Sequence, residues 1–562
     1  SVTRQWLSEP VSHLRDVRTE LLLKFRILER MDESLVPLAE ASAIVRRTST
    51  GELQTLDPQT WTYGQDGNIA QDLFQGLTTL DPAANTIPGQ AKSWTVSPDG
   101  KRYTFTLRDN LRWSDGRPLT SEDFLWSFRR LFDPKTAAPA VSLLYVIRNG
   151  RAVNTGKLPV TALGVSAPNA TTMVIDLEHP APYLADLLVH RAFPVPRHVI
   201  DKHGKQWTRP ENIVSNGAFV FREWRPGSHV RLDRNPRFHD AGSVRIESIY
   251  HVPIEDPKTA LTRYRAGELD VLVTLPSEQL AELKATYGSQ LRLVRQIGLE
   301  YLAFNTRRGA TADPRVRRAL SMAIDRQMLV DKVTRAGEPP AYCVVPEGVI
   351  SYPRRGCADF ASLTPAARLA EARRLLREAG FGTERPLRLR FRVNNSDTQR
   401  RLALAISAMW QPLGIRTELI GAELKAHQVA VAQGDFDVAR GAWYGEDRDA
   451  ISFLRLLDAR STVLNISGYA NAQYQQWLDK ADASADLVAR AEFLREAESL
   501  AMREQPIAPV HVYVSRRLIS PRVQGWVDNP RGLHLNRYLS IVSTSSIHSP
   551  AAPRTTPTRR PE

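Results

Sequence analysis

The sequence predicts an α/β protein of at least two lobes with an added β-rich region, and three observations carry that prediction. At 562 residues the chain exceeds what one ordinary core holds. Between Thr364 and Ile420 a helix, an alternating strand, a second helix and a second strand follow one another. Such a β-α-β unit calls for a parallel sheet with a right-handed crossover. The middle of the chain is instead a series of short strand patterns punctuated by proline.

Residues 1–43 read as a charged, irregularly amphipathic helical extension carrying Leu21, Leu22, Leu23, Phe25 and Leu28. It has no apolar core segment of the kind a secretory leader needs, although Ala41-Ser42-Ala43 has the small residues of a cleavage site. The globular part begins at Ile44 and runs through Leu53 and Leu56 to a turn at Asp57-Pro58. Gly67 to Leu77 predicts a helix, stopped at Gly76. Trp94 and Val96, the Pro98-Asp99-Gly100 turn, and the alternating Tyr103, Phe105 and Leu107 predict a hairpin. Ser121-Glu122-Asp123 then opens a helix bearing Phe124, Trp126 and Phe128.

Strands are expected at Met173–Leu177, Ala218–Phe221, Val230–Leu232 and Ile246–Val252, and a helix at Lys258–Ala266. Thr364 caps the next helix, with Pro365 in its first turn, Gly380 past its end and an apolar stripe of Ala372, Leu375, Leu376 and Ala379. Leu387, Leu389, Phe391 and Val393 alternate as a strand, followed by a helix near Thr398–Gln411 and a strand at Ile415–Ile420. The final twenty residues, rich in Ser, Thr and Pro, are expected to be disordered.

Composition narrows the function. Hydrophobic residues make up 42%, enough for a large interior, and no run approaches the roughly 18 apolar residues of a spanning helix. The 75 basic and 61 acidic residues leave a net charge of +14. The first 43 residues contribute none of that excess, with six Lys/Arg against seven Asp/Glu. A basic body favours acidic ligands or an anionic membrane surface; nucleic acid is disfavoured, because zinc-finger spacing and RNP-like aromatic runs are absent. The two cysteines, Cys343 and Cys357, flank a turn-rich stretch with Pro346, Gly348, Pro353 and Gly356. A local disulfide closing a loop of about 15 residues, worth about 3 kcal/mol, is one reading and implies an oxidising compartment. Two free buried thiols are the alternative, and a metal site would leave half its coordination shell unfilled.

No Walker loop, dinucleotide glycine fingerprint, His-Glu-x-x-His or Gly-x-Ser-x-Gly is present, and the 12 histidines are scattered. The sequence therefore points away from an enzyme and from a metal or organic cofactor. The stretch GDFDVARGAWYGEDRDAISFL (434–454) stands out instead. It joins a strand end (Phe436, Val438) to Arg440, Trp443, Tyr444, Glu446, Asp447 and Asp449, and Gly441 and Gly445 mark the charged part as a loop. An aromatic shelf between a fixed cation and fixed anions suits an extended ligand carrying both charges, such as a peptide; a solvated acidic loop is the plainer reading.

Residues 88–124, PGQAKSWTVSPDGKRYTFTLRDNLRWSDGRPLTSEDF, resemble the signature region of the family 5 extracellular solute-binding proteins. The resemblance extends through LQTLDPQT (53–60), NIVSNGAFV (212–220), RYRAGELDVL (263–272), YLAFNTRR (301–308), DPRVRRALSMAIDR (313–326) and PIAPVHVY (506–513), and covers roughly residues 44–540. It is strongest to the oligopeptide-binding members that serve bacterial ABC importers. It implies a class II periplasmic binding protein fold: two α/β lobes hinged over a ligand, plus an extra domain. Segments 44–75, 197–297 and 514–540 are then the first lobe, 76–196 the extra α+β domain, 298–513 the ligand lobe and 541–562 a disordered tail.

The resemblance also implies site residues. An aspartate three residues after the tryptophan of Ala-Arg-x-x-Trp pairs with the peptide ammonium in oligopeptide-binding members; here Glu446 stands there, beside Asp447. Arg440 matches an arginine near the ligand carboxylate, Trp443 and Tyr444 form the shelf, and Tyr301 joins the ligand-binding set. Three positions depart from the pattern: Val431 for an arginine, Leu424 for a tryptophan and Gln399 for a histidine. The expected function is that of a periplasmic, extracellular or cell-envelope protein that captures oligopeptides, carries no cofactor, acts as a monomer and delivers its ligand to ABC permease subunits. The alternatives are the same fold with a nickel chelate, an opine-like conjugate or a murein peptide, and a hydrolase reusing the scaffold.

Overall fold

A computed structural model describes residues 43–542 apart from Tyr63, Ala140, Glu446 and Thr462. The expected helical extension and the expected disordered tail therefore lie outside the described residues, except for Ala43, Ile541 and Val542.

Ten strands form one mixed sheet. In spatial order they are Ile415–Ala422, Leu387–Asn394, Val438–Tyr444, Leu291–Phe304, Ile507–Ile519, Val271–Leu272, Ile44–Ser49, Ser248–Pro253, His229–Arg234 and Phe219–Arg225. The predicted β-α-β unit is present: strands 387–394 and 415–422 run parallel in unbroken register, joined by the helix Asp397–Trp410. Its preceding helix, Pro365–Glu378, is capped as expected, the Thr364 hydroxyl accepting from the Ala367 N–H at 3.2 Å. Phe391 and Trp410 pack behind this sheet with ring centroids 5.8 Å apart, and the buried indole N–H of Trp410 donates to the Leu320 carbonyl.

The middle of the sheet is built on two long strands. Strand 291–304 pairs antiparallel with both 438–444 and 507–519. Its ladder with 507–519 loses register between Arg295 and Leu299. There Gln296 donates to the Val294 carbonyl, Ser515 Oγ and the Asn529 carbonyl, while the Ile297 N–H donates to Pro530.

The predicted hairpin is Ala91–Val96 with Arg102–Leu107, turned by Gly100 at φ 70°. It belongs to a separate antiparallel sheet of four strands with Thr172–Asp176 and Val165–Asn169. The helix Ser121–Phe132 buries Phe124, Phe128 and Phe132 beneath it, with Trp113. The helix expected at 67–77 instead spans Gly64–Leu73. It stops early because the chain at Gly217 abuts its end and takes the Leu73 carbonyl with its own N–H at 2.7 Å. The stretch beyond turns into the strand Thr78–Leu80.

Cys343 and Cys357 form a disulfide. The loop they close is clasped from inside by Glu498, which is fully buried and accepts from the Val345 and Gly356 N–H groups and from the Tyr352 hydroxyl. Among the described residues no helix is long and apolar enough to cross a membrane.

Candidate functional site

The charged stretch singled out in the sequence is a strand for longer than its glycines predict. Val438–Tyr444 is extended throughout, and the loop begins only at Gly445. Gly441 does not break the strand; it makes room, since a Cβ there would lie 2.4 Å from the ring of Tyr301. Tyr301 is accordingly buried flat against it. Gly298, across the ladder, plays the same part for Tyr444 and Tyr513, whose rings stack at 4.6 Å and 13°.

One edge of this strand is unfilled. On one side, residues Val438 to Tyr444 all pair with strand 291–304. On the other, strand 387–394 pairs only with Val438 and Ala439, so Gly441 to Tyr444 have no strand neighbour there among the described residues. Trp443 sits on this stretch, partly buried, and Tyr444 is exposed.

Arg440 is committed within the protein. Its guanidinium grips Glu300 through two hydrogen bonds of 2.9 and 2.8 Å and donates to the Tyr513 hydroxyl at 2.9 Å. Tyr513 in turn donates to Glu300. Burial opposes the charge on Arg440, but the Glu300 carboxylate outweighs it and raises the guanidinium above its ordinary value. Burial and then the same carboxylate push the Tyr513 hydroxyl up. Gln399 meets this network from the helix 397–410, lining a small recess with Glu300 and Arg440. Leu424 opens the helix Leu424–Ala432 and is half exposed, while Val431 at its other end is buried.

The two described acids that follow this strand, Asp447 and Asp449, are not equivalent. Glu446 lies outside the described residues. Asp449 is held by Arg490 in a buried two-bond pair, both bonds 2.8 Å, and also caps the short helix that follows by accepting from Ile451. Asp447 is buried, and its one hydrogen bond from within the loop comes from the Asp449 N–H at 2.8 Å. Burial, then Asp449 and Asp186, push its carboxyl up to about 8. The loop is tied down by Asp186, which accepts from the Arg448 N–H and pairs with Arg531.

A carboxyl raised in the fold adds stability that is complete below the ordinary carboxylate range and is lost as pH rises through the folded value. For Asp447 that window runs from about pH 4 to about pH 8. Asp447→Asn keeps the acceptor for the Asp449 N–H. It is expected to leave stability unchanged at pH 4 and to raise it by about 2 kcal/mol or more at pH 8.5. Urea melts across that range read the difference.

The structure thus brings Arg440, Trp443, Tyr444, Tyr301 and Gln399 together around strand 438–444. Leu424 stands on the helix that precedes this strand, whose His427 ring bonds the Arg440 carbonyl. Sequence reasoning missed Glu300 and Tyr513. A lone carboxylate inside the apolar run Ile297–Phe304 was the available signal for Glu300; nothing marked Tyr513 as its partner.

The family model described as bacterial extracellular solute-binding proteins, family 5 Middle, matches residues 85–463. The chain is 34% identical over 510 residues to the periplasmic murein peptide-binding protein MppA of Escherichia coli (strain K12), covering 90% of this chain and 94% of that protein. It is 35% identical over 512 residues to the probable deoxycholate-binding periplasmic protein YgiS of the same organism, with the same coverage of 90% and 94%. Among solved structures, Haemophilus influenzae OppA in complex with the peptide RPPGFSPFR aligns with a TM-score of 0.76 and 32% identity, over 89% of this chain and 99% of that one.

Proposed function

The chain belongs to the bacterial extracellular solute-binding proteins, family 5, with their class II periplasmic binding fold, and from that premise we propose that it binds oligopeptides. The observation that carries this reading is the open edge of strand 438–444. An extended ligand laid along Gly441–Tyr444 completes the ladder with main-chain hydrogen bonds, which hold any peptide without reading its side chains. Trp443 and the Tyr444–Tyr513 stack supply an apolar shelf beside it. Glu446, two residues after Tyr444 in the sequence, is assigned to the ligand's ammonium.

The carboxylate end of the ligand is treated differently. Arg440 is already neutralised by Glu300, so it offers no free cation to a C-terminus. Recognition is accordingly anchored at the N-terminus and tolerant of length. In keeping with the family, the protein works in the periplasm or cell envelope, passes its ligand to the permease of an ABC importer, and performs no chemistry on it.

Native mass spectrometry of the purified protein, followed by denaturation, tests the ligand class. A heterogeneous set of short peptides is expected, and one defined non-peptide species overturns the reading. Calorimetry then tests the anchoring. N-acetylation of a bound peptide, or Glu446→Gln, is expected to weaken binding by about 100-fold, since a desolvated charge pair is lost. C-terminal amidation is expected to change it by less than about threefold.

A further inference from the structure

A second cluster of arginines lies away from Arg440, where the first strand of the large sheet meets the helix Gly64–Leu73. It surrounds a cavity of about 180 Å³ lined by Arg47, Thr48, Thr50, Gln65, His251 and Arg517 among others. Among the described residues no carboxylate lines it. Arg47 is only 5% exposed; its guanidinium donates to Asn536 Oδ1 at 2.8 Å and weakly to the His534 carbonyl, and its Nε has no partner. Arg517 donates to the Gly532 carbonyl at 2.6 Å and to the His534 ring, and its Nε is likewise buried without a partner.

Neither arginine has a carboxylate within ion-pair distance among the described residues. Asp72 comes near Arg47 only through Asn536, whose amide donates to it at 2.6 Å. The His251 ring stands 3.4 Å from the same carboxylate. Burial lowers the Arg47 guanidinium from its ordinary value, and Asp72 offsets this only in part. Burial and the neighbouring Arg47 pull Arg517 down to about 10, and burial together with both arginines keeps His534 neutral, down to about 2. Buried arginines elsewhere in the protein are matched either by an acid, as Arg440 is by Glu300 and Arg490 by Asp449, or by a full set of carbonyl acceptors, as Arg326 is by Pro509, Ser321 and Ile324. Neither arginine here has an acid, and each keeps a buried Nε without a partner.

We propose that this cavity is an oxyanion subsite that takes a carboxylate or phosphate group. The two guanidinium groups supply charge and forked donors, Thr48 and Thr50 supply hydroxyls at the wall, and Gly64 and Gln65 bring the first turn of the helix Gly64–Leu73 to its lining. The volume holds an oxyanion with several waters, each taking roughly 30 Å³. The group reaches the cavity either on the bound ligand or free in solution. Strand 507–519 connects the two places: Tyr513 beside the ligand shelf and Arg517 at the cavity lie on the same strand face, four residues and so about 13 Å apart. An acidic side group three to four residues along an extended peptide spans that distance.

The ligand-borne arm of the test rests on the peptide reading above, whereas titration with inorganic phosphate does not, so the two can fail separately. Calorimetry of the full chain is run with inorganic phosphate and with peptide pairs differing only by Glu against Gln at the third and fourth residues. The variants are Arg517→Gln, Arg517→Lys and Thr50→Glu, the last placing an acid at the exposed rim without touching a buried arginine. A preference of about tenfold or more for the Glu peptide, kept by Arg517→Lys and lost in Arg517→Gln and Thr50→Glu, establishes the subsite and places the anion on the ligand. Phosphate binding with the same pattern of loss, and no preference among peptides, establishes it as a site for a free anion. Indifference of the wild type to both probes, or retention of either effect in Arg517→Gln and Thr50→Glu, overturns the proposal.

Discussion

Glu300→Gln is expected to lower stability by about 3–5 kcal/mol and to give the protein a preference it otherwise lacks, for peptides with a free C-terminal carboxylate over amidated ones. Both effects have one cause. Glu300 is 2% exposed and holds Arg440 through two hydrogen bonds, with Tyr513 bonded to both. Glutamine retains one acceptor and no charge, so a buried guanidinium is left uncompensated. A ligand carboxylate is then the available counter-ion, and the affinity ratio of free to amidated peptide is expected to rise by about tenfold. Urea unfolding and paired calorimetric titrations read the two halves. Lower stability without any gain in carboxylate preference would show that Arg440 faces away from the ligand.

Arg490→Met is expected to cost about 3–5 kcal/mol, because it strands Asp449 in a buried site already shared with Asp447. The reverse comparison separates charge from packing. In the double variant Arg490→Met/Asp449→Leu no charge remains to be buried, and most of the loss is expected to return; the cap on Ile451 stays missing, so recovery is incomplete. Arg490 stands on the helix Leu487–Glu504 and anchors Asp449, three residues after Glu446 in the sequence, so ligand affinity should fall in the single variant as well.

The parts of the fold legible in the sequence are those where one face is wet. The hairpin 91–107 alternates because its second strand buries Tyr103, Phe105 and Leu107 and leaves the residues between them more exposed. The unit 364–422 is written in caps and turns, from Thr364 and Pro365 to Gly380 at φ 84°. The long central strand was not read as a strand; only its end, from Tyr301, entered through the family resemblance. From Gln296 to Phe304 it is buried on both faces, so its sequence has no period to read. The order of the ten strands follows from contacts far apart in the chain, which no local pattern records.

The candidate site divides in the same way. Its aromatic residues and Arg440 could be named in advance because residue type announces what they can do. Which acid faces which cation could not. Asp447 and Asp449 look alike in the sequence, yet one is buried with its carboxyl pushed up to about 8 and the other is tied to Arg490. Glu300 and Arg440 are 140 residues apart, and only the sheet register, which sets Leu302 opposite Arg440 and Glu300 opposite Ala442, brings their side chains together.

The slipped register at Arg295–Leu299 has a mechanical consequence. A regular ladder resists shear because sliding it breaks every rung at once. Here the two long strands are joined instead by the flexible amide of Gln296 and by bonds to the chain at Asn529 and Pro530. Rotation of one half of the sheet against the other can be absorbed at that joint while the rungs on either side stay intact. Torque is then borne by the chain at Asn529 and Pro530, and a clamp placed on those two residues would hold the two long strands in one arrangement.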